Sequence, residues 1–226
     1  MENYLKPTFF LDSDNPSIIE YAQRVTQNAT NDIEKGVQLY YAVRDDIRYN
    51  PYNVDMSRQG MRASTALENG EAFCVPKALL LTACARAVGI PAKLAFADVR
   101  NHLNSDRLKE AMGGETIFVF HGITMMYLDG KWTKSTPAFN KALCDKTNVH
   151  ALDYDGKSDS LFHPFDKSGN KHMEYVQDRG EFDDFPYETF IKALADHYHG
   201  IADLKQLLKG AEGYSAEDFE NEAYAG

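Results

Sequence analysis

Between Asp32 and Arg48, Ile33, Val37, Tyr40, Tyr41, Arg44 and Ile47 recur near a 3.6-residue spacing, while Glu34, Lys35, Asp45 and Asp46 fall on the other face. That periodicity predicts an amphipathic helix. Pro16–Asn28 reads as a helix before it, and the polar stretch Tyr49–Arg62, with Pro51 and Gly60, as loop. A strongly apolar helix starts near Cys74. It stops before Gly89-Ile90-Pro91, where a residue suited to a left-handed cap is followed closely by a proline. Lys93–Val99 reads as a strand and His102–Gly114 as a charged surface excursion. Thr116–Leu128 and Lys131–Thr136 are β-rich runs separated by Asp129-Gly130, a strong signal for a two-residue hairpin. Asn140 to Pro186 is polar and loop-like, and Tyr187–Leu208 returns to helix. Gly210–Gly226 holds five acids and no base, which suggests a loose acidic tail or one marginal helix.

Pro76 fixes the start of the apolar helix. Proline is tolerated in the first turn, where its missing N–H would be unbonded anyway, and it disrupts a helix interior. Cys74 therefore sits at a helix N-terminus. Unpaired N–H groups and the helix dipole there favour an anion, so the thiol is expected to ionise more readily and to serve as a nucleophile. The same N–H groups suit an oxyanion on a substrate carbonyl. Cys84, mid-helix, and Cys144 read as buried, inert cysteines.

The hairpin places a histidine. With Asp129-Gly130 as the loop, Trp132 faces Tyr127, Thr136 faces Ile123 and Ala138 faces His121. His121 and Thr136 then lie on one sheet face as diagonal neighbours. A catalytic imidazole needs such a neighbour to fix its ring and tautomer.

Composition narrows the class. The 226 residues carry 24 basic and 34 acidic side chains, a formal charge of −10, with 43% hydrophobic residues. These are ordinary globular values, and the length supports a full core. The acidic balance disfavours nucleic acid and favours a cationic substrate or partner such as a lysine-rich chain. The longest uncharged apolar stretches, Ala78–Ala85 and Ile117–Leu128, are shorter than the ~20 residues of a membrane helix. No basic segment followed by an apolar run opens the chain, so no signal peptide is expected. The three cysteines are odd in number and lack CxxC spacing, which argues against a disulfide framework or structural zinc and for a reducing cytoplasm.

Thr65–Pro91 resembles the core motif of the transglutaminase-like superfamily. That motif has a Gly-rich approach, a Cys opening an Ala/Leu helix, and an ending matched here by Arg86-Ala87-Val88-Gly89-Ile90-Pro91-Ala92. The run His121 to Trp132 resembles the family's histidine strand, turn and tryptophan, and Gly36–Tyr49 resembles the helix before the core. The resemblance covers about Asp32 to Asn140. It implies an α+β, papain-like cysteine-enzyme fold, with the nucleophile helix packed on an antiparallel β-sheet. It also implies a single domain over 1–209, followed by the acidic tail 210–226. The implied chemistry is Cys-His acyl transfer through a thioester on a peptide or small amide, with Cys74 as nucleophile and His121 as base. No metal or organic cofactor is implied.

One position departs from the family. An Asp usually stands four residues after the tryptophan, before a Pro; here Thr136 precedes Pro137. A hydroxyl can hydrogen-bond an imidazole but carries no charge to stabilise an imidazolium. Three outcomes stay open: Thr136 suffices, another residue orients His121, or the site is an inactive binding module. Asn140 is the alternative orienter on the same expected face, and Asp98 and Asp166 are further carboxylates. A separate reading, a metal-dependent hydrolase, rests on His163 and His172 in the polar segment.

Overall fold

The computed structural model describes residues 1–198 and 213–221. Its centre is the helix that opens at Cys74. In this helix, α4 (Cys74–Ala87), every residue from Val75 to Arg86 is buried. A helix apolar on all faces must be covered on all sides. Helices α1 (Pro16–Val25), α2 (Asp32–Asp46) and α3 (Ala63–Asn69) pack against part of it, and a sheet takes the rest.

Two of the buried positions carry basic side chains. Lys77 donates to the carbonyls of Arg44 (2.8 Å) and Ile47, so its amino group caps the C-terminal end of α2. Arg86 donates from Nε to the Ala92 carbonyl at 2.9 Å and from its Nη atoms to the carbonyls of Lys6 and Asp183.

A short parallel pair, β1 (Arg48–Tyr49) and β2 (Glu71–Ala72), leads into α4. The sheet comprises β3 (Ala92–Asn101), β4 (Ile117–Leu128), β5 (Lys131–Ser135) and β6 (Met173–Phe182), in the order β5-β4-β3-β6 with every pairing antiparallel. Short helices α5 (Asp106–Ala111) and α6 (Lys141–Lys146), then α7 (Tyr187–His197) and α8 (Ala216–Asn221), complete the described elements. Of the stretch 210–226, residues 213–221 fall within the described chain. There α8 buries Ala216, Phe219 and Glu220; the remainder, like residues 199–208 of the expected last helix, lies outside the described residues.

The hairpin takes the expected register from Leu128↔Lys131 and Tyr127↔Trp132 to Thr124↔Ser135. It then ends sooner than expected. Ser135 bridges to Ser160, and the Thr136 N–H donates to the Ser160 carbonyl at 3.1 Å, so Thr136 and Ala138 leave the ladder before reaching Ile123 and His121. Pro137 has no N–H to extend the strand. The larger difference is β6, which falls inside the segment that reads as loop. It is an edge strand whose residues from Glu174 to Asp178 face solvent, so no alternating apolar pattern marks it.

Candidate active site

Cys74 is the first residue of α4, after Phe73 in extended conformation. The backbone N–H groups of Gly122, Val75 and Cys74 itself converge on its sulfur. Gly122, the residue after His121 on β4, allows this approach. A Cβ there would stand 2.9 Å from the Ala78 Cβ and 3.1 Å from both the Val75 Cα and the Cys74 carbonyl oxygen. Strand and helix thus meet main chain to main chain, which sets Cys74 and His121 on closely packed elements.

The thiol is not acidified. Burial pushes it up to about 11, against a smaller opposing effect of the three N–H groups. The helix-terminus expectation fails because the sulfur sits in an apolar cavity, where losing water outweighs the partial charges of a few amides. His121 is shifted in the complementary direction. Its side chain is 3% exposed and its Nε2 has no hydrogen-bond partner. Burial takes it down to about 3. The resting pair is therefore a neutral thiol and a neutral imidazole, whose ring centroid lies 4.8 Å from that of Phe162.

Cys74 and His121 both line a small cavity of about 40 Å³ walled by Val99, Leu108, Phe118, Phe139, Phe162 and Phe219, among others. Cys74 also lines a second cavity, bounded by Pro51, Met56, Phe73, Met112, Phe190 and Leu194. No ionisable carboxylate, Lys or Arg lines either one among the described residues. A lysine side chain would enter without a counter-charge.

The remaining candidates divide. Thr136 is 1% exposed, and its hydroxyl lacks a hydrogen bond although the Tyr175 hydroxyl approaches it. Asn140 is committed elsewhere: its Oδ1 accepts from the Tyr49 N–H at 3.0 Å and its Nδ2 donates to Glu220 Oε1 at 3.0 Å. Asp166 closes its own loop by accepting from the Ser168 and Asn170 N–H groups.

Asp98 has a different task. It forms a two-pronged pair with Arg179, from Nε at 2.9 Å and Nη2 at 2.6 Å, and accepts from the Phe120 N–H at 3.0 Å. Phe120 has φ +58°, and the β3–β4 register shifts between Ala97 and Val99. A left-handed aromatic residue is strained and needs such a clamp. Asp98 thus holds the bulge immediately before His121.

The sequence reading missed the place of His172. It immediately precedes β6 and lines the Cys74 cavity, 3% exposed. Recognising β6 would have been the signal. His163 lies beside His150, with ring centroids 5.0 Å apart, and no group of three or more His, Cys, Asp or Glu able to hold a metal ion occurs among the described residues. Cys84 and Cys144 are buried free thiols. No helix among the described residues is long and apolar enough to cross a membrane.

The sequence profile of the transglutaminase-like superfamily matches residues 19–137, more than half of the chain. No curated protein sequence matches the chain. Two solved structures are similar. A candidate cysteine protease from Cytophaga hutchinsonii shares 15% identity over 80% of this chain, with a TM-score of 0.48. A candidate protease from Parabacteroides distasonis shares 22% identity over 52% of it, with a TM-score of 0.37. The aligned part amounts to 46% and 22% of those two proteins' lengths. The motif, the nucleophile helix on its antiparallel sheet and the profile match agree that this chain belongs to the transglutaminase-like superfamily and has its cysteine-enzyme fold.

Proposed function

We propose that the chain is a cysteine-nucleophile acyl-transfer enzyme acting on amide or ester carbonyls, with Cys74 as nucleophile and His121 as general base. The observation that carries this reading is that the Cys74 thiol and the His121 imidazole share one apolar cavity, with main-chain N–H groups converging on the sulfur. The neutral resting pair sets the order of events. The sulfur attacks the carbonyl carbon while its proton passes to the His121 imidazole. The N–H groups of Cys74 and Gly122 receive the oxyanion. His121 then returns the proton to the leaving amine or alcohol, and the carbon–sulfur bond remains as a thioester. Water resolves it to an acid, or an amine resolves it to a new amide. Thr136, buried with an unpartnered hydroxyl, is the candidate for a weaker, uncharged orienting group.

The test is intact-mass analysis after mixing the chain with a p-nitrophenyl ester of an uncharged acid, with and without added butylamine. Acylation of Cys74, absent in Cys74→Ala, is the expected result, and amide product in the second mixture identifies transfer to amine. A chain that never acylates, yet retains bound amide ligand, fits the second reading, an inactive binding module. The specific observation behind that alternative is the uncharged Thr136 in place of the family's usual Asp.

A further inference from the structure

The cavity shared by Cys74 and His121 holds few polar side chains, and two of them are already satisfied by neighbours. Asn101 donates to Asn104 Oδ1 at 2.6 Å and accepts from the Leu103 N–H at 3.0 Å. The Thr147 hydroxyl donates to the Leu143 carbonyl at 2.9 Å. Tyr49 packs its ring against Phe139 and Phe219. His172 carries a buried ring nitrogen without a partner. Its main chain is fixed on both sides, its N–H donating to the Pro164 carbonyl and its carbonyl accepting from His102, each at 2.8 Å. Its ring is flanked by Phe139 and Phe162, and its Nδ1 has no hydrogen-bond partner although the residue is 3% exposed.

Phe162 relates the two imidazoles. Its centroid lies 4.8 Å from that of His121 and 6.1 Å from that of His172. The cavity thus offers a reacting thiol, apolar walls, and one further unsatisfied imidazole about an aromatic ring's breadth from the base. A buried polar atom without a partner is unfavourable, and a ligand that supplies the partner gains what the free protein lacks. The surrounding walls carry no ionised group, which penalises a charged ligand.

We propose that His172 is the polar anchor of the acyl-group pocket, and that the acyl part of the substrate is an uncharged, mainly apolar chain or ring bearing one hydroxyl. A hydroxyl both donates and accepts, so it pairs with a neutral imidazole in either tautomer. Burial holds His172 down at about 4, so the ring is neutral at pH 7. This assignment rests on the acyl-transfer reading of Cys74 and His121 for its meaning, but its test does not require turnover.

The probes are phenol and toluene, two rings of one size that differ by a hydroxyl, titrated into the full chain labelled with ¹⁵N-histidine. Phenol should bind at least tenfold more tightly than toluene, move the His172 ring nitrogen resonance, and slow iodoacetamide labelling of Cys74. His172→Leu should reduce phenol to the affinity of toluene and leave toluene unchanged. If that variant does not fold, the wild-type ring resonance decides. Equal affinity for the two probes, binding of neither, a hydroxyl preference that survives in His172→Leu, or an unmoved His172 resonance would each overturn the assignment. Failure of the chain to form an acyl-enzyme while phenol still binds in this way would count against the Cys74 chemistry alone.

Discussion

At the scale of single residues, the thiol and the imidazole carry the argument. Cys74 is raised from 9.0 to about 11, so its thiolate fraction at pH 7 is about a hundredfold below that of an ordinary thiol. Iodoacetamide labelling of Cys74, read by peptide mass, should therefore be about a hundredfold slower than that of a free thiol at pH 7. It should climb about tenfold per pH unit up to pH 10. A plateau below pH 8 would show a preformed ion pair and refute the neutral resting state. Cys74→Ala should abolish acylation, whereas Cys84→Ala should keep it and lower stability by about 1 kcal/mol, the scale of a small buried truncation. Steady-state kinetics and denaturant unfolding check the two. The places of Cys74 at a helix start and His121 on a hairpin strand were legible in the sequence because Pro76 fixes the one and Asp129-Gly130 the other. Their proton affinities were not, since burial is set by walls that arrive from distant parts of the chain.

Among the elements, the bulge before His121 is the informative one. Asp98 on β3 joins Arg179 on β6 to the left-handed Phe120 on β4, so one carboxylate links three strands. Asp98→Ala should destabilise the fold by about 2–4 kcal/mol, as expected when one partner of a buried, hydrogen-bonded pair is removed. Asp98→Asn, which keeps an acceptor for the Phe120 N–H, should recover part of that loss in urea unfolding and return the His121 ring resonance toward its wild-type position. None of this shows in local patterning. β6 exposes most of its first half, so its composition resembles the loops around it. The hairpin, whose strands are buried on the core side, was readable residue by residue until Pro137 ended it.

The whole molecule encloses two neutral histidines, and acid should expose them. His121 and His172 have folded values of about 3 and about 4, below the usual value near 6.5. Between pH 6.5 and about 4 the unfolded chain binds protons that the folded chain refuses, so stability falls as the pH falls through this window. Each histidine contributes a slope of up to about 1.4 kcal/mol per pH unit. Urea unfolding at pH 7 and pH 5 should show this drop, and His121→Leu or His172→Leu should flatten it; equal slopes in all three proteins would refute the assignment. The cavity itself was illegible in the sequence. Phe162, His172 and Phe219 lie far along the chain from Cys74, and only the fold gathers them around it. The motif region near Asp32 to Asn140 could name the candidate pair; it could not name what surrounds it. The contact at Gly122 separates these two halves physically. Cys74 and His121 keep step through main-chain atoms that no substitution in the walls alters. Reaction and selection can therefore diverge independently. Laboratory evolution directed at Phe139, Phe162 or Phe219 should shift substrate range well before it erodes the chemistry, whereas a single methyl group at position 122 should end both.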